Sequence, residues 1–301
     1  MDHRSHTHGA PNFGRAFAIS AALNVAFIAT EVVFGLVAGS LALLSDAAHN
    51  LGDVLGLMLA WGAIQLARRP PSKRRTYGLR RSTILAALAN ATVLLVVVGG
   101  LTWEAVMRLR HPVALHGETI LWVAAVGVLV NGASALLFFS GRRGDVNVRA
   151  AFAHLTADAA VSLGVVATGF AIVRTGWVWL DPAVSLVIGV TIAWSTWGLF
   201  RESLDLALDA VPAGINPDEI ATYLGGLPGV LEVHDLHIWG MSATETSLTA
   251  HLVMPDRPMG DEELARTRDE LHRRFAIGHA TIQVERGNGQ ARCDPNRENA
   301  V

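Results

Sequence analysis

The sequence predicts an α-helical membrane protein in which six transmembrane helices precede a small α/β domain. Three observations lead to this fold class. Of the 301 residues, 51% are hydrophobic and only 17% are charged, which is far more apolar than an ordinary soluble protein. Six windows are long enough to cross a hydrocarbon core of about 30 Å as helices. The apolar excess then ends near Arg201, and the rest of the chain has the charge density of a water-soluble domain.

The predicted membrane helices cover most of the first two thirds of the chain. Each contains the roughly 20 apolar residues that a helix needs to span a bilayer. A turn at Gly39 and Ser40 makes the first two helices a tight antiparallel hairpin. The predicted ranges are 13–37, 41–67, 82–109, 119–140, 148–173 and 180–199.

Basic residues in the connecting loops set the predicted orientation. The loop after the second helix carries seven lysines and arginines, and the loop after the fourth carries Arg142, Arg143 and Arg149. By the positive-inside rule both loops lie in the cytoplasm. Six spans then place both termini in the cytoplasm as well. The N-terminus lacks the pattern of a removable signal peptide, so we expect the first apolar segment to remain as a membrane helix.

The last third of the chain predicts a small cytoplasmic α/β domain with the element order αββαβ. Asn216 is the expected cap of a helix at 217–224, and 230–239 and 246–254 alternate like strands. A charged amphipathic helix at 261–275 and a strand at 280–285 follow, which suits a sheet with two helices on one face. The predicted division is a His-containing tail at 1–12, the membrane domain at 13–207, the cytoplasmic domain at 208–287 and a disordered tail at 288–301.

Composition excludes two other classes of protein. The formal net charge is −2, and the basic residues lie in short loops, so we expect no nucleic-acid partner. The single cysteine, Cys293, excludes an intrachain disulfide and any zinc module that is rich in cysteine.

Two copies of the pattern His-x-x-x-Asp lie within otherwise apolar predicted helices. They are His49 with Asp53 in the second span and His154 with Asp158 in the fifth. Residues four apart project from one face of a helix, so each pair directs an imidazole nitrogen and a carboxylate oxygen to one point. Two such helices side by side would provide four ligands. Because ionisable groups in hydrocarbon are costly, we expect this cluster to be a functional site.

The ligand types favour zinc and suggest coupling to protons. Two nitrogens and two oxygens match the tetrahedral coordination that Zn²⁺ prefers. The site lacks a thiolate, which would favour Cu(I), and it lacks an all-oxygen shell, which would favour Mg²⁺ or Ca²⁺. Two carboxylates and two neutral imidazoles also balance the charge of one divalent cation. Protons compete with metal for the same atoms, so the site without metal should take up protons. This competition predicts that metal movement is coupled to proton movement.

Other interpretations of these residues stay open at this point. A single intramembrane His or Asp often makes only an interhelical hydrogen bond. Asp46 shares the face of His49 and Asp53, so it is a candidate for a supporting group behind the ligands, a proton relay or a helix-end group. We expect Glu31 and Asn50 to pack or to bind water rather than metal.

Two alternative functions were weighed against transport. A membrane metalloenzyme is not expected, because four protein ligands leave no open position on the zinc ion. Neither His-Glu-x-x-His nor Gly-x-Ser-x-Gly occurs in the sequence. A zinc receptor that signals through its cytoplasmic domain remains an alternative.

Four sequence runs resemble the cation diffusion facilitator family. They are GSLALLSDAAHNLGDV, AAFAHLTADAAVSLGVV, DPAVSLVIG and VLEVHDLHIWG, and the resemblance extends over nearly the whole chain. It implies export of Zn²⁺, in some members also Cd²⁺ or Co²⁺, from the cytoplasm in exchange for protons, by a homodimer with alternating access. It also implies a transport site of His49, Asp53, His154 and Asp158 in a bacterial inner membrane. Members with His at the first position of the second-helix motif are generally zinc-selective, so His49 favours zinc.

The resemblance also implies a ferredoxin-like fold for the cytoplasmic domain, together with regulatory zinc and dimerisation. His234, His251 and Glu285 fall where zinc-type relatives place ligands. His237 and His279 lie close by and are candidates to contribute, including across the dimer. The alternative is that these histidines are only solvated side chains on exposed strands.

Three further expectations concern the tail and the loop after the second helix. His3, His6 and His8 are candidates to capture zinc loosely and deliver it. The loop reads RRPPSKRRTYGLRRST and lacks the Asp and His that build an additional metal site in some relatives, so we expect no such site. Arg81 is a candidate partner for Asp209, because related transporters hold the dimer there with a basic-acidic bridge. The alternative for most of the arginines in this loop is that they only set the topology and contact anionic lipid.

Overall fold

Six long helices precede a small α/β domain in the computed structural model, which describes residues 14–140, 142, 146–257 and 259–287. All six are long and apolar enough to cross a membrane, so the predicted fold class is confirmed. They are α1 (Gly14–Ala38), α2 (Leu41–Ala67), α3 (Ser82–Arg110), α4 (Gly117–Phe138), α5 (Val146–Thr175) and α6 (Leu180–Ala207). The predicted tails at 1–12 and 288–301, with His3, His6 and His8, lie outside the described residues.

Helix α6 is longer than the apolar window that predicted it. The window ends at residue 199, whereas the helix continues to Ala207. The added segment, FRESLDLA, is charged but contains residues that favour helix, so the helix persists where the apolar pattern stops. An apolar window therefore marks the part of a helix that can lie in lipid and not the end of the helix itself.

The chain divides into two compact units, and the first comprises Met1–Leu57 and Asn90–Trp197. Its described helices pack closely through small residues. A β-carbon on Gly169 of α5 would lie 2.7 Å from the backbone nitrogen of Leu121 in α4, and one on Gly127 of α4 would lie 2.5 Å from the ring of Phe27 in α1. Glycine is required at position 169, because the backbone of the neighbouring helix lies too close for a side chain, whereas a side chain at position 127 would displace the Phe27 ring.

Asp181 of α6 fixes the beginning of α2. Its carboxylate accepts hydrogen bonds from the backbone nitrogens of Leu41, at 2.7 Å, and Ala42, at 3.2 Å, and from the hydroxyl of Ser40. The sequence position before Pro182 suggests a cap for its own helix. The structure instead places Asp181 at the N-terminus of another helix, where a carboxylate satisfies unpaired backbone donors and complements the helix dipole.

The second unit comprises Met58–Ala89 and Gly198–Val301 and contains a three-stranded sheet. Strand β1 pairs antiparallel with β2, and β2 pairs parallel with β3. This arrangement agrees with the predicted order αββαβ. The elements are α7 (Pro217–Gly225), β1 (Glu232–Gly240), β2 (Thr246–Val253), α8 (Asp261–Phe275) and β3 (Ile277–Glu285).

One face of the sheet is covered by α7 and α8. Leu248, Ala250 and Leu252 alternate along β2 and pack in one buried cluster with Leu224 of α7 and Leu271 of α8. Successive side chains of a strand point to opposite faces, so Thr249 and His251 lie on the other face.

The helix and strand boundaries predicted for this part of the chain agree with the structure to within a few residues. Asn216 caps α7, and its side chain accepts a hydrogen bond from the backbone nitrogen of Asp218. Strand β3 begins at Ile277 rather than at residue 280. The strand begins early because α8 ends at Phe275 and the next residue, Ala276, has a left-handed backbone (φ 56°) that turns the chain directly into β3.

Candidate metal sites

The first candidate site lies between α2 and α5, where the two His-x-x-x-Asp pairs meet. In each helix, residues four apart lie on one face, so the sequence spacing alone brings each imidazole beside its own carboxylate. His49 Nε2 lies 3.8 Å from Asp53 Oδ2, and His154 Nε2 lies 3.5 Å from Asp158 Oδ2. The structure also brings the two helices together, with ring centres 6.1 Å apart between the histidines.

Contacts between the helices complete a ring of alternating imidazoles and carboxylates. His49 Nε2 lies 3.6 Å from Asp158 Oδ1 of α5, and His154 Nε2 lies 3.3 Å from Asp53 Oδ2 of α2. Each histidine nitrogen therefore faces both carboxylates. Two ligands of a tetrahedral zinc ion, each about 2.0–2.1 Å from the metal, are about 3.3 Å apart. The four contact distances are close to that value, so small side-chain movements would suffice to enclose one ion.

Access to this ring is uneven. The Asp158 side chain is only 4% exposed, whereas His154 is 46% exposed. One carboxylate thus lies deep in the helix packing, and one imidazole lies at an open edge. The ring is therefore buried on the side of Asp158 and uncovered by the described part of the chain on the side of His154.

Hydroxyl groups hold α2 in place against α5 and α6 just before the site. Ser45 Oγ and Ser185 Oγ of α6 lie 2.7 Å apart, and Ser162 Oγ of α5 donates a hydrogen bond to Asp46 Oδ2 at 3.1 Å. These contacts lie within one turn of His49. They therefore fix the rotation of α2 that turns the first histidine toward α5.

Asp46 and Glu31 form a second buried polar group next to this site. Asp46 is 1% exposed and Glu31 is fully buried, and their carboxyl groups are neighbours. Asn50 Nδ2 lies 3.4 Å from Glu31 Oε2. Sequence reasoning placed Asp46 beside the ligands but treated Glu31 as a packing group, because a single Glu in α1 carries no spacing signal. Its neighbours become visible only when α1 and α2 are packed together.

The second candidate site lies on the sheet of the second unit, on the face away from α7 and α8. His234 of β1 and His251 of β2 are direct cross-strand partners, and Glu285 of β3 pairs with Val253, two residues beyond His251. All three side chains therefore project from one face. His234 Nε2 lies 3.3 Å from Glu285 Oε2, and His251 Nδ1 lies 3.1 Å from Glu285 Oε1. One ligand atom from each residue lies within 4.8 Å of the others, which is close enough for a shared metal ion.

The structure does not bring His237 or His279 into this cluster within one chain. His237 contacts Asp235 instead, with Nε2 3.0 Å from Oδ1, and the ring of His279 lies against Tyr77. Asp235 is the residue that the sequence did not indicate. A bulge in β1 gives it a left-handed backbone (φ 53°) and places Oδ2 3.7 Å from His251 Nε2. In a regular strand it would face the opposite side, so no spacing pattern could have found it.

Arg81 and Asp209 form an ion pair within the second unit of one chain. The neighbouring Arg80 pairs with Glu245, with Nη1 2.7 Å from Oε2. All four side chains are partly exposed, and exposed ion pairs contribute little to stability. The two ion pairs link the residues just before α3 to the residues after the end of α6 and to the β1–β2 turn.

Two family models match the chain one after the other. A model described as the cation efflux transmembrane domain matches residues 17–206, and a model described as the cytoplasmic domain of cation efflux proteins matches residues 212–287. The first covers the six long helices, and the second covers the α/β domain. The resemblance that the four sequence runs indicate is therefore confirmed over most of the chain.

Individual relatives align over almost their full length. A cation efflux system protein, CzcD, of Alcaligenes sp. (strain CT14) is 38% identical over 93% of this chain and 89% of its own length. The zinc transporter ZitB of Escherichia coli (strain K12) is 34% identical over 93% and 92%. A cadmium, cobalt and zinc/H⁺-K⁺ antiporter of Bacillus subtilis (strain 168) is 30% identical over 93% and 91%. The chain thus belongs to the cation diffusion facilitator family of cation efflux proteins, as a multi-pass membrane protein with that family's transmembrane and cytoplasmic domains.

Proposed function

We propose that this protein exports Zn²⁺ from the bacterial cytoplasm in exchange for protons, as a homodimer in the inner membrane. The observation that carries the proposal is the ring of His49, Asp53, His154 and Asp158, in which each imidazole faces both carboxylates. Membership in a family of efflux proteins supplies the type of process. The ring supplies a site whose charge and ligand types suit one zinc ion.

The charge of the ring supports exchange between metal and protons. Two carboxylates and two neutral imidazoles cancel the two charges of Zn²⁺, which keeps the loaded site neutral between apolar helices. Ligands must lose their protons to bind metal, so metal binding releases protons and proton uptake releases metal. In the proposed cycle, cytoplasmic zinc displaces protons from the inward-facing site, the helices rearrange, and external protons then displace the zinc ion to the outside.

Zinc is the proposed main substrate, with Cd²⁺ and Co²⁺ as possible further ions. One relative is named a zinc transporter and another a cadmium, cobalt and zinc antiporter, so the family permits both narrow and broad selection. The two imidazoles of this ring favour zinc, because nitrogen ligands suit its tetrahedral coordination. We therefore assign the choice of ion chiefly to His49 and His154.

The cytoplasmic cluster of His234, His251 and Glu285 is proposed as a regulatory zinc site. It lies on the sheet face that α7 and α8 leave uncovered, and three ligands leave one position open for a fourth. We propose that Asp235 or a residue of a second copy fills that position. Zinc bound there would then stabilise the dimer and bias the transport cycle. Arg81 and Asp209 are proposed to stabilise the same dimer.

Reconstitution tests the proposal. The full-length protein is placed in vesicles with an acidic lumen and a zinc-sensitive dye, and zinc is added outside at neutral pH. We expect zinc uptake that requires the pH gradient, accompanied by a rise of the luminal pH, with Cd²⁺ and Co²⁺ tested as competitors. An ionophore that removes the gradient should stop the uptake.

Two outcomes would contradict the proposal in different ways. Zinc uptake that persists at the same rate without the pH gradient would contradict the proposed coupling of zinc transport to protons. Intact zinc binding with no uptake under any gradient would remove transport and favour the zinc receptor.

A further inference from the structure

A cavity of about 470 Å³ lies in the second unit at the C-terminal end of α2, a helix long and apolar enough to cross a membrane. Its volume falls within the range of about 300–1,000 Å³ that is typical of small-molecule sites. Arg68 and Arg69, which follow the last residue of α2, form one side of the cavity, and Ser242 and Thr244 of the β1–β2 turn form another. The polar wall is therefore made of guanidinium and hydroxyl groups, together with the Glu245 carboxylate that is paired with Arg80.

The two arginines at the end of α2 carry uncompensated positive charge. The third arginine of the cavity, Arg80, is already paired with Glu245, so that pair adds no net charge. Within the described part of the chain, the side chains of Arg68 and Arg69 have no carboxylate within 4.0 Å. Ser242 Oγ accepts a hydrogen bond from the backbone nitrogen of Thr244 and lies 3.5 Å from Thr244 Oγ1, so the two hydroxyl groups form one polar edge of the cavity. The cavity thus offers about two positive charges to an anion.

The loop that carries these arginines has a defined backbone. Arg68 and Arg69 continue the hydrogen bonding of α2, since their nitrogens donate to the carbonyls of Ile64 and Leu66. Two prolines follow, and Ser72 and Arg75 exchange two backbone hydrogen bonds of 3.0 Å. The backbone that carries the two guanidinium groups is therefore held in place by hydrogen bonds and by the two prolines.

The remaining wall of the cavity is apolar and belongs to the membrane helix. Ile64 and Ala67 line it, and Ile64 is 44% exposed on the surface of a helix that is long enough to span a bilayer. A free inorganic anion would gain nothing from such a wall. A phospholipid would place its phosphate against Arg68 and Arg69 and its acyl chains along α2.

We propose that this cavity binds the head group of an anionic phospholipid through Arg68 and Arg69. The shared chemistry is a phosphate anion, and the apolar wall commits the site to a lipid source. A hydrogen bond between a guanidinium group and a phosphate contributes about 1 kcal/mol or more, so the two arginines that line the cavity correspond to about thirtyfold in affinity, and basic groups outside the cavity lack this contribution. This lipid site does not depend on which ion the protein transports.

The test measures binding of chain-labelled phosphatidylglycerol to the purified full-length protein. Arg68→Gln/Arg69→Gln should weaken binding by about thirtyfold. The matched control is Lys73→Gln/Arg74→Gln, which removes the same charge from the same loop but from residues that do not line the cavity. The control should bind within a few-fold of the unmodified protein, and neither phosphatidylcholine nor inorganic phosphate should displace the labelled lipid.

Three results would overturn the proposal. Equal losses in the two double variants would mean that only the general surface charge attracts the lipid. Displacement by inorganic phosphate would identify a site for free anions. Arg68→Lys/Arg69→Lys keeps the charge and the loop but loses the planar guanidinium, so it should bind several-fold more weakly, and unchanged binding in this variant would also count against the cavity.

Discussion

The two candidate metal sites are built from the same types of ligand on different secondary structures. In the membrane site, two helices each contribute a His and an Asp four residues apart, and the ligands differ in exposure from 4% to 46%. In the cytoplasmic site, three adjacent strands each contribute one ligand from a single sheet face. The first site has four ligands and balances the charge of a divalent ion. The second has three ligands and one carboxylate, and it leaves a position open.

This difference suggests a division of labour. A complete, neutral shell between helices can release its ion when the helices move, because the ligands belong to two separate elements. A sheet holds its three strands in fixed register, so the cytoplasmic ligands cannot separate without loss of pairing. We therefore assign movement of zinc to the helical site and retention of zinc to the sheet site.

Removal of the buried carboxylate of the membrane site should have the largest effect. Loss of groups behind metal ligands typically costs roughly 10–100-fold, so loss of a direct ligand in Asp158→Ala should lower zinc flux by roughly a hundredfold or more. Thr156→Ala is the matched control, because Thr156 lies on the same helix and, among the residues that the structure describes, its hydroxyl bonds to the Phe152 carbonyl alone. Vesicle uptake measures both. Equal flux in the two variants would disprove the assignment of the site.

Disturbance of the helix packing that supports this site should have the next largest effect. In Gly169→Ala the new methyl group would meet the backbone of Leu121 at 2.7 Å, so α4 and α5 must move apart at a cost of about 1–3 kcal/mol. Gly164→Ala lies on the same helix, and no described atom beyond its own helix lies within 4 Å of the added carbon. Thermal denaturation in detergent should show a lower midpoint for the first variant only. A lower midpoint in both variants, or in neither, would show that the close contact with Leu121 does not decide the result.

Exchange of one membrane ligand should change selectivity more than rate. His49→Asp replaces a nitrogen ligand by an oxygen ligand and adds a negative charge, which weakens the preference for tetrahedral zinc. We expect the ratio of cadmium to zinc uptake to rise several-fold, measured by competition in vesicles. The corresponding change His251→Asp in the cytoplasmic cluster should leave this ratio unaltered. An unchanged ratio in His49→Asp would remove the role of this histidine in ion choice.

The smallest expected effect lies outside both sites, at the start of α8. Hydrogen bonds from the Arg257 side chain and the Gly260 backbone lower the pKa of Glu263. A lowered pKa in the folded state means that this stabilisation is fully present above the unfolded-state pKa of about 4.3 and is lost as the pH falls through the folded-state value. Glu263→Gln should therefore reduce the unfolding midpoint of the cytoplasmic domain slightly at pH 7, and the difference should narrow in acid. A difference that widens in acid would reverse the sign of this contribution.

Sequence predicted the membrane site better than the cytoplasmic one, for a physical reason. The period of 3.6 residues turns a spacing of four into a shared helix face, so His49 with Asp53 and His154 with Asp158 were visible before any fold was known. The meeting of α2 with α5 was not visible, because it depends on contacts between residues distant in sequence, such as the Ser162–Asp46 hydrogen bond.

Strand ligands carry no comparable signal. Their proximity depends on register between strands that are distant in sequence, so only the family resemblance singled out His234, His251 and Glu285. The bulge that turns Asp235 toward His251 had no signature in the sequence at all. For the same reason the sequence suggested His237 and His279 as neighbours of the cluster, whereas within one chain they contact Asp235 and Tyr77.

The most direct test of the central claim compares two double variants in one assay. His154→Ala/Asp158→Asn disables the membrane ring, and His234→Ala/Glu285→Gln disables the cytoplasmic cluster. Zinc bound per protomer and gradient-driven zinc uptake are measured for both, together with the unmodified protein. We expect the first variant to keep the zinc ion of the cytoplasmic cluster but to show no zinc uptake. The second variant should lose that zinc ion and still transport. Uptake by the first variant, or none by the second, would contradict the assignment of transport to the ring between α2 and α5.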